Sequence, residues 1–208
     1  MPRLSALLAI PVVFSFACSD QPTSSTEALA LSPVFAHAPA AGFGWSYAFL
    51  QFGDPDDPPS AVAKNGDKIN ISLDADLAPF SFHPKTIDGG GDFTIRYAGG
   101  GATNGTWEAT KLISFQSYGS TDFGEGGVLF GGSLQLHITL SHEDGRVQKG
   151  ILRLTCTDFG NPPPGAKQGI VLKVVGGERF TGSWAFDADD NPVGPIQGAT
   201  FFVENEAP

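Results

Sequence analysis

Ser133 to Thr157 reads Ser-Leu-Gln-Leu-His-Ile-Thr-Leu-Ser-His-Glu-Asp-Gly-Arg-Val-Gln-Lys-Gly-Ile-Leu-Arg-Leu-Thr-Cys-Thr. Leu134, Leu136, Ile138 and Leu140 alternate with Gln135, His137 and Thr139. A period of two is the signature of a strand with one dry face and one wet face. Asp144-Gly145 then supplies a pair that tolerates positive φ, as a tight hairpin turn requires. The return strand carries Leu152, Leu154 and Cys156 on one face. Val147 is out of phase with Leu152, and Gly150 between them is the expected place for a bulge. The stretch predicts a β-hairpin with a core of Leu134, Leu136, Ile138, Leu140, Leu152 and Leu154. It names no chemistry.

The rest of the chain follows the same pattern. Among 208 residues, Gly (27), Pro (16) and Phe (17) are abundant and Met (1) is scarce, which favours many short strands over helices. Gly42 to Phe52 predicts a strand with Phe43, Trp45, Tyr47 and Phe49 on one face. Further strands are expected at Asp67–Leu73, at Asp92–Ala98 and at Thr106–Tyr118, while Phe80, Phe82 and His83 before Pro84 read as an edge segment or a buried loop anchor. Others fall around Ile170, Leu172 and Val174, at Arg179–Phe186 and at Ala199–Glu204. Leu112-Ile113 interrupts its alternation and marks a bulge. Asn104-Gly105 reads as a hairpin turn, Gly119–Gly132 as a Gly-rich loop, and Asn161-Pro-Pro-Pro-Gly165 as a loop. The expected fold is all-β: one antiparallel β-sandwich or closed β-barrel of about 8–9 strands, after a signal peptide and a flexible tether.

The N-terminus carries the most specific signal. Met1 to Ala17 has one positive side chain, Arg3, then an apolar run from Leu4 to Phe16. That pattern reads as a secretory signal peptide. Ser15-Phe16-Ala17-Cys18 resembles the lipobox of bacterial lipoproteins, in which small residues precede a Cys that becomes lipidated. The resemblance implies a lipid anchor at Cys18, with Ser15 where the family usually has Leu. Ser19 after the Cys, rather than Asp, implies passage to the outer membrane. Ser15-Phe16-Ala17 also satisfies ordinary signal peptidase cleavage, so a secreted or periplasmic chain is the second reading. Residues 18–41 are rich in Ser, Thr, Ala and Pro and read as the tether; residues 42–208 are the β domain. Cys156 is then a lone core residue, or the partner of Cys18 in a disulfide if no lipid is attached.

The formal charge is −10, from 12 basic and 22 acidic residues. Removing Arg3 with the signal leaves 11 basic against 22 acidic residues, a charge of −11. Such a surface repels phosphate backbones and excludes nucleic acid as the expected partner. Asp54, Asp56 and Asp57 form an acidic turn. Asp187, Asp189 and Asn191 match the first places of a calcium loop, but Pro192 and Gly198 stand where Gly and Glu are needed. The histidines, His37, His83, His137 and His142, read as solvated. No nucleophile elbow, zinc motif or cofactor loop occurs, so no catalytic residue, metal ligand or cofactor is expected. Carboxylates such as Glu108 and Glu125 leave a hydrolase open. The leading reading is a non-enzymatic envelope module that binds a glycan or an envelope protein. Trp45, Tyr47 and Trp107 are its stacking residues if they are exposed together; otherwise they fill the core. A carrier with a barrel cavity is the third reading.

Overall fold

The computed structural model describes residues 44–50, 58–83, 85–122, 128–183, 185–186, 192–193 and 198–205. The expected signal peptide, Cys18 and the expected tether lie outside them, as do His37, the turn expected at Asp54–Asp57, Glu125 and Asp187–Asn191. Every regular element among the described residues is a strand. In order they are β1 (Gly44–Leu50), β2 (Ser60–Ala63), β3 (Lys68–Ile71), β4 (Ala78–Phe82), β5 (Lys85–Ile87), β6 (Gly90–Arg96) and β7 (Ala102–Asp122). There follow β8 (Val128–His142), β9 (Val147–Cys156), β10 (Gly169–Val174), β11 (Arg179–Ser183), β12 (Ala185–Phe186), β13 (Pro192–Val193) and β14 (Ala199–Asn205).

Eight of these strands close a barrel in the order β8-β7-β6-β3-β2-β11-β10-β9, with β9 returning to β8. Every neighbouring pair is antiparallel. The open choice between sandwich and barrel thus resolves to a barrel. The chain β14-β1-β4-β5 lies outside it, attached to β8 where Phe202 pairs with Phe130. A separate two-stranded ribbon joins β12 to β13.

The β8–β9 hairpin is formed as its alternation demands. Leu134 pairs with Leu154 and Leu136 with Leu152, and all six expected core residues are buried. Gly145 takes φ +85° after Asp144, and its N–H donates to the His142 carbonyl. Arg146 closes the turn: its N–H and Nε donate to the two carboxylate oxygens of Asp144, at 3.0 and 2.7 Å. The expected bulge at Gly150 is absent. Gly150 pairs in register with Ile138, and a Cβ there would sit 3.0 Å from Leu172 Cδ1 and 3.2 Å from the Lys173 carbonyl. The phase mismatch has a simpler cause: Val147 is an outward residue, 65 % exposed.

The bulge expected near Leu112-Ile113 is present, between the Leu112 and Ser114 pairings. Two further register shifts fall between Ala109 and Lys111 and between Ser117 and Gly119. Each extra residue bends its strand and adds twist, which lets the long β7–β8 pair run past the barrel mouth. Asn104-Gly105 is not a turn. It lies inside β7, paired with Thr94 and Phe93. The chain reverses instead at Gly100 and Gly101, with φ +97° and +86°. Gly105 is glycine because a Cβ would meet the Ser141 carbonyl and the Phe93 ring. Likewise the described parts of the Gly-rich stretch expected as a loop, 119–122 and 128–132, are strand and belong to β7 and β8.

Beyond the barrel mouth the core becomes aromatic. Trp45 packs edge-on to Phe130 with ring centroids 4.8 Å apart, and Phe115 lies 5.0 Å from both Trp45 and Phe80. Such tilted and edge-to-face contacts add to burial alone. The strand order ends at β5, three residues long, whose Lys85 Nζ donates to the Ile113 carbonyl of β7 at 2.8 Å.

Leu136→Ala should lower unfolding free energy by about 2–5 kcal/mol through lost transfer energy and a residual cavity. Val147→Ala should stay within about 0.5 kcal/mol. Urea denaturation followed by tryptophan fluorescence measures both.

Candidate functional site

Alternation along β9, β10 and β11 sets the site. Leu152, Leu154, Ile170, Leu172 and Phe180 point inward and are buried. Their sequence neighbours therefore point outward. Registers align two outer rows. One runs Ser133, Thr155, Gly169, Ser183; the next runs Gln135, Arg153, Val171, Thr181. Arg179 lies one row further, paired with Lys173.

Over these rows lies the segment between β9 and β10, the loop expected at the triple proline. It is held at both ends. Asn161 N–H donates to the Tyr118 carbonyl, and the Gln168 carboxamide accepts from Thr157 N–H and donates to the Thr200 carbonyl at 3.1 Å. Its Gly165, Ala166 and Lys167 make one wall of a groove of about 300 Å³. The bulge beside Gly119 brings Tyr118 to the opposite wall. Partial burial raises the Tyr118 hydroxyl above its ordinary pKa, opposed by a hydrogen bond from Ser133 and the nearby charge of Arg153.

The lining is polar. Arg153, Lys167 and Arg179 supply charge; Ser133, Thr155, Thr181 and Ser183 supply hydroxyls. No Asp or Glu is among the described lining residues. The groove can bind and orient a hydroxylated or negatively charged ligand.

A second cleft of about 490 Å³ lies between β1, β14 and the loop after β3. Phe49, Leu73, Leu77 and Phe201 line it, with Asp74 and Asp76. The barrel interior itself is occupied by side chains, among them Leu134, Leu136, Ile69, Phe93 and Phe180, as an eight-stranded barrel allows.

Of the two readings left open for Trp45, Tyr47 and Trp107, core filling holds and no stacking platform is formed. They are 4 %, 0 % and 2 % exposed. Trp107 Nε1 donates to the Ser72 carbonyl at 2.7 Å, and both faces of β1 are covered, since Ser46 and Ala48 are buried as well. His142 is also not solvated. It is buried, edge-on to Phe93, with Nε2 2.7 Å from Gln148 Oε1. His83 and His137 are exposed as expected, and so is Glu108. No three His, Cys, Asp or Glu side chains among the described residues come together as a metal would need. Nothing in the sequence singled out the groove. Its cations sit on separate segments, and only the outward phase of Arg153 was readable in advance.

Cys156 is buried against Gly132, and burial pushes its thiol up to about 12. The folded thiol holds its proton more tightly than the unfolded one, for which 9.0 is the ordinary value. Stability from this group is therefore complete below about pH 9 and falls as pH rises toward 12. Tyr47, also raised by burial, acts in the same direction, and its hydroxyl has no hydrogen-bond partner among the described residues. We expect a thiol reagent to label Cys156 only after denaturation, and Cys156→Ala to flatten the alkaline loss of stability. Tyr47→Phe should cost under about 1 kcal/mol, because it removes an unpaired polar group.

Comparison of the chain with protein-family models, with curated proteins and with solved structures finds no match.

Proposed function

We propose that the chain is an exported, lipid-anchored domain of the bacterial cell envelope that binds a glycan or another envelope component in the groove over β9, β10 and β11. Anchoring is supported by Ser15-Phe16-Ala17-Cys18 and by the Ser-, Thr- and Pro-rich stretch behind it. Acylation of Cys18 holds the domain at the outer membrane, and the tether gives it reach. The groove carries the binding reading. It is concave and hydroxyl-rich, on a barrel whose interior is filled by its own side chains. Ligand sites join a shaped concavity to a few placed polar groups, and this groove does so on paired strands rather than on a free loop.

A carrier of apolar molecules is the second reading, favoured by the cleft of Phe49, Leu73, Leu77 and Phe201. That cleft would release its ligand on Leu73→Asp, whereas glycan binding would be untouched.

Intact-mass measurement on membrane-fraction protein tests the anchor. A mature chain beginning at acylated Cys18 is expected, and Cys18→Ala should move the protein to the soluble fraction. A chain that starts at Cys18 without added acyl mass would refute the anchor.

A further inference from the structure

We infer that the groove takes an extended polyanionic glycan, its acidic groups held by Arg153, Lys167 and Arg179 and its neutral hydroxyls by the Ser and Thr side chains beside them; this rests on the binding reading above. Charge is the first argument. The chain has 22 acidic and 12 basic residues, yet this groove has three cations and no carboxylate among its described lining residues. None of the three has a carboxylate partner among the described residues. Elsewhere Arg146 is paired with Asp144, and Arg96 Nη1 donates to Asn70 Oδ1. Cations that share one concavity of an acidic protein, with no carboxylate partner among the described residues, focus a positive potential there.

Spacing is the second argument. Arg153 and Arg179 are two strands apart and one outward position out of line. Strand geometry then sets their Cα atoms about 12 Å apart. Such a separation suits acidic groups spread along a chain better than one compact anion. Beside them, the exposed Thr181 and Ser183 of β11 offer hydroxyls that both donate and accept, as sugar hydroxyls require. Guanidinium groups can meet a carboxylate or a sulfate with two parallel hydrogen bonds. Lys149 and Lys173 continue the cationic face beyond the groove: Lys149 pairs with Thr139, and Lys173 lies beside Ile151 and Arg179. A nucleic acid is the weaker fit, because Tyr118 is the single aromatic ring among the described lining residues and single strands need a row of stacking surfaces.

Binding of the full chain to oligogalacturonate, dextran sulfate, neutral dextran and single-stranded DNA tests this. Carboxylated or sulfated chains should bind, with the two arms telling which acid group is preferred. Affinity should drop steeply between about 50 and 200 mM salt. Arg153→Gln with Arg179→Gln should weaken it at least about tenfold. Lys64→Gln with Lys111→Gln, an equal change of charge off the groove, should alter it less than about twofold. Circular dichroism checks that both variants fold. Binding of neutral dextran as tight as that of the acidic chains, or no effect of the arginine changes, overturns the polyanion inference and leaves the binding reading standing. Tighter binding of DNA replaces the glycan with nucleic acid. If no probe binds and envelope polysaccharide extracts do not either, both readings fall.

Discussion

One edge of β8 bonds to two different strands, and the architecture depends on that division. From Gly132 to Ser141 the edge pairs with β9 and closes the barrel; at Phe130 it pairs with β14. The switch needs a place where one strand can leave and another arrive. Gly131 provides it. A Cβ at Gly131 would strike the Phe159 carbonyl and lie 3.3 Å from the Cys156 carbonyl, where β9 departs. The same departure sends the 157–168 segment back across the outer face, where it becomes a groove wall. Closure, the attached outer strands and the candidate site therefore share one backbone crossing.

The parts of the fold that could be read beforehand are those in which local pattern and long-range packing agree. Leu134, Leu136, Ile138 and Leu140 alternate because one face of β8 is dry, and no neighbour contradicts them. Local rules failed where a distant strand set the terms. Asn104-Gly105 has turn chemistry, but Gly105 is required by the approach of Ser141 and Phe93. Gly150 looked like a bulge, but Leu172 and Lys173 crowd it from the neighbouring strand. The aromatic row of β1 was legible as a row, and core filling was one of its two readings; the covering of its other face was not legible, because the segments that cover it are remote in sequence. His142 misled for a similar reason: it is next to a turn, yet Phe93 and Thr103 from other strands enclose it.

The candidate site was the least legible part. Arg153, Lys167 and Arg179 belong to two strands and the segment between them, and a cation on a wet strand face is ordinary by itself. Register sets Arg153 and Arg179 on one outer face, and the held segment before β10 brings Lys167 over it. The bulge that brings in Tyr118 could not be assigned a direction from sequence, since an extra residue changes which side the following residues face. Nor was the overall negative charge a guide, because an average over 208 residues conceals a local reversal.

The contact between Lys85 and Ile113 has a further consequence. A closed barrel exposes no strand edge, so the attached strands reintroduce a hazard that closure removes: an open row of backbone donors and acceptors inviting another chain to pair. Here the terminal strand is three residues long, and Lys85 turns its ammonium onto a backbone carbonyl of β7. An incoming strand would have to displace that contact and bury the charge. Short length and a lysine at the rim thus guard against edge-to-edge aggregation, a protection whose value grows with the local concentration of copies.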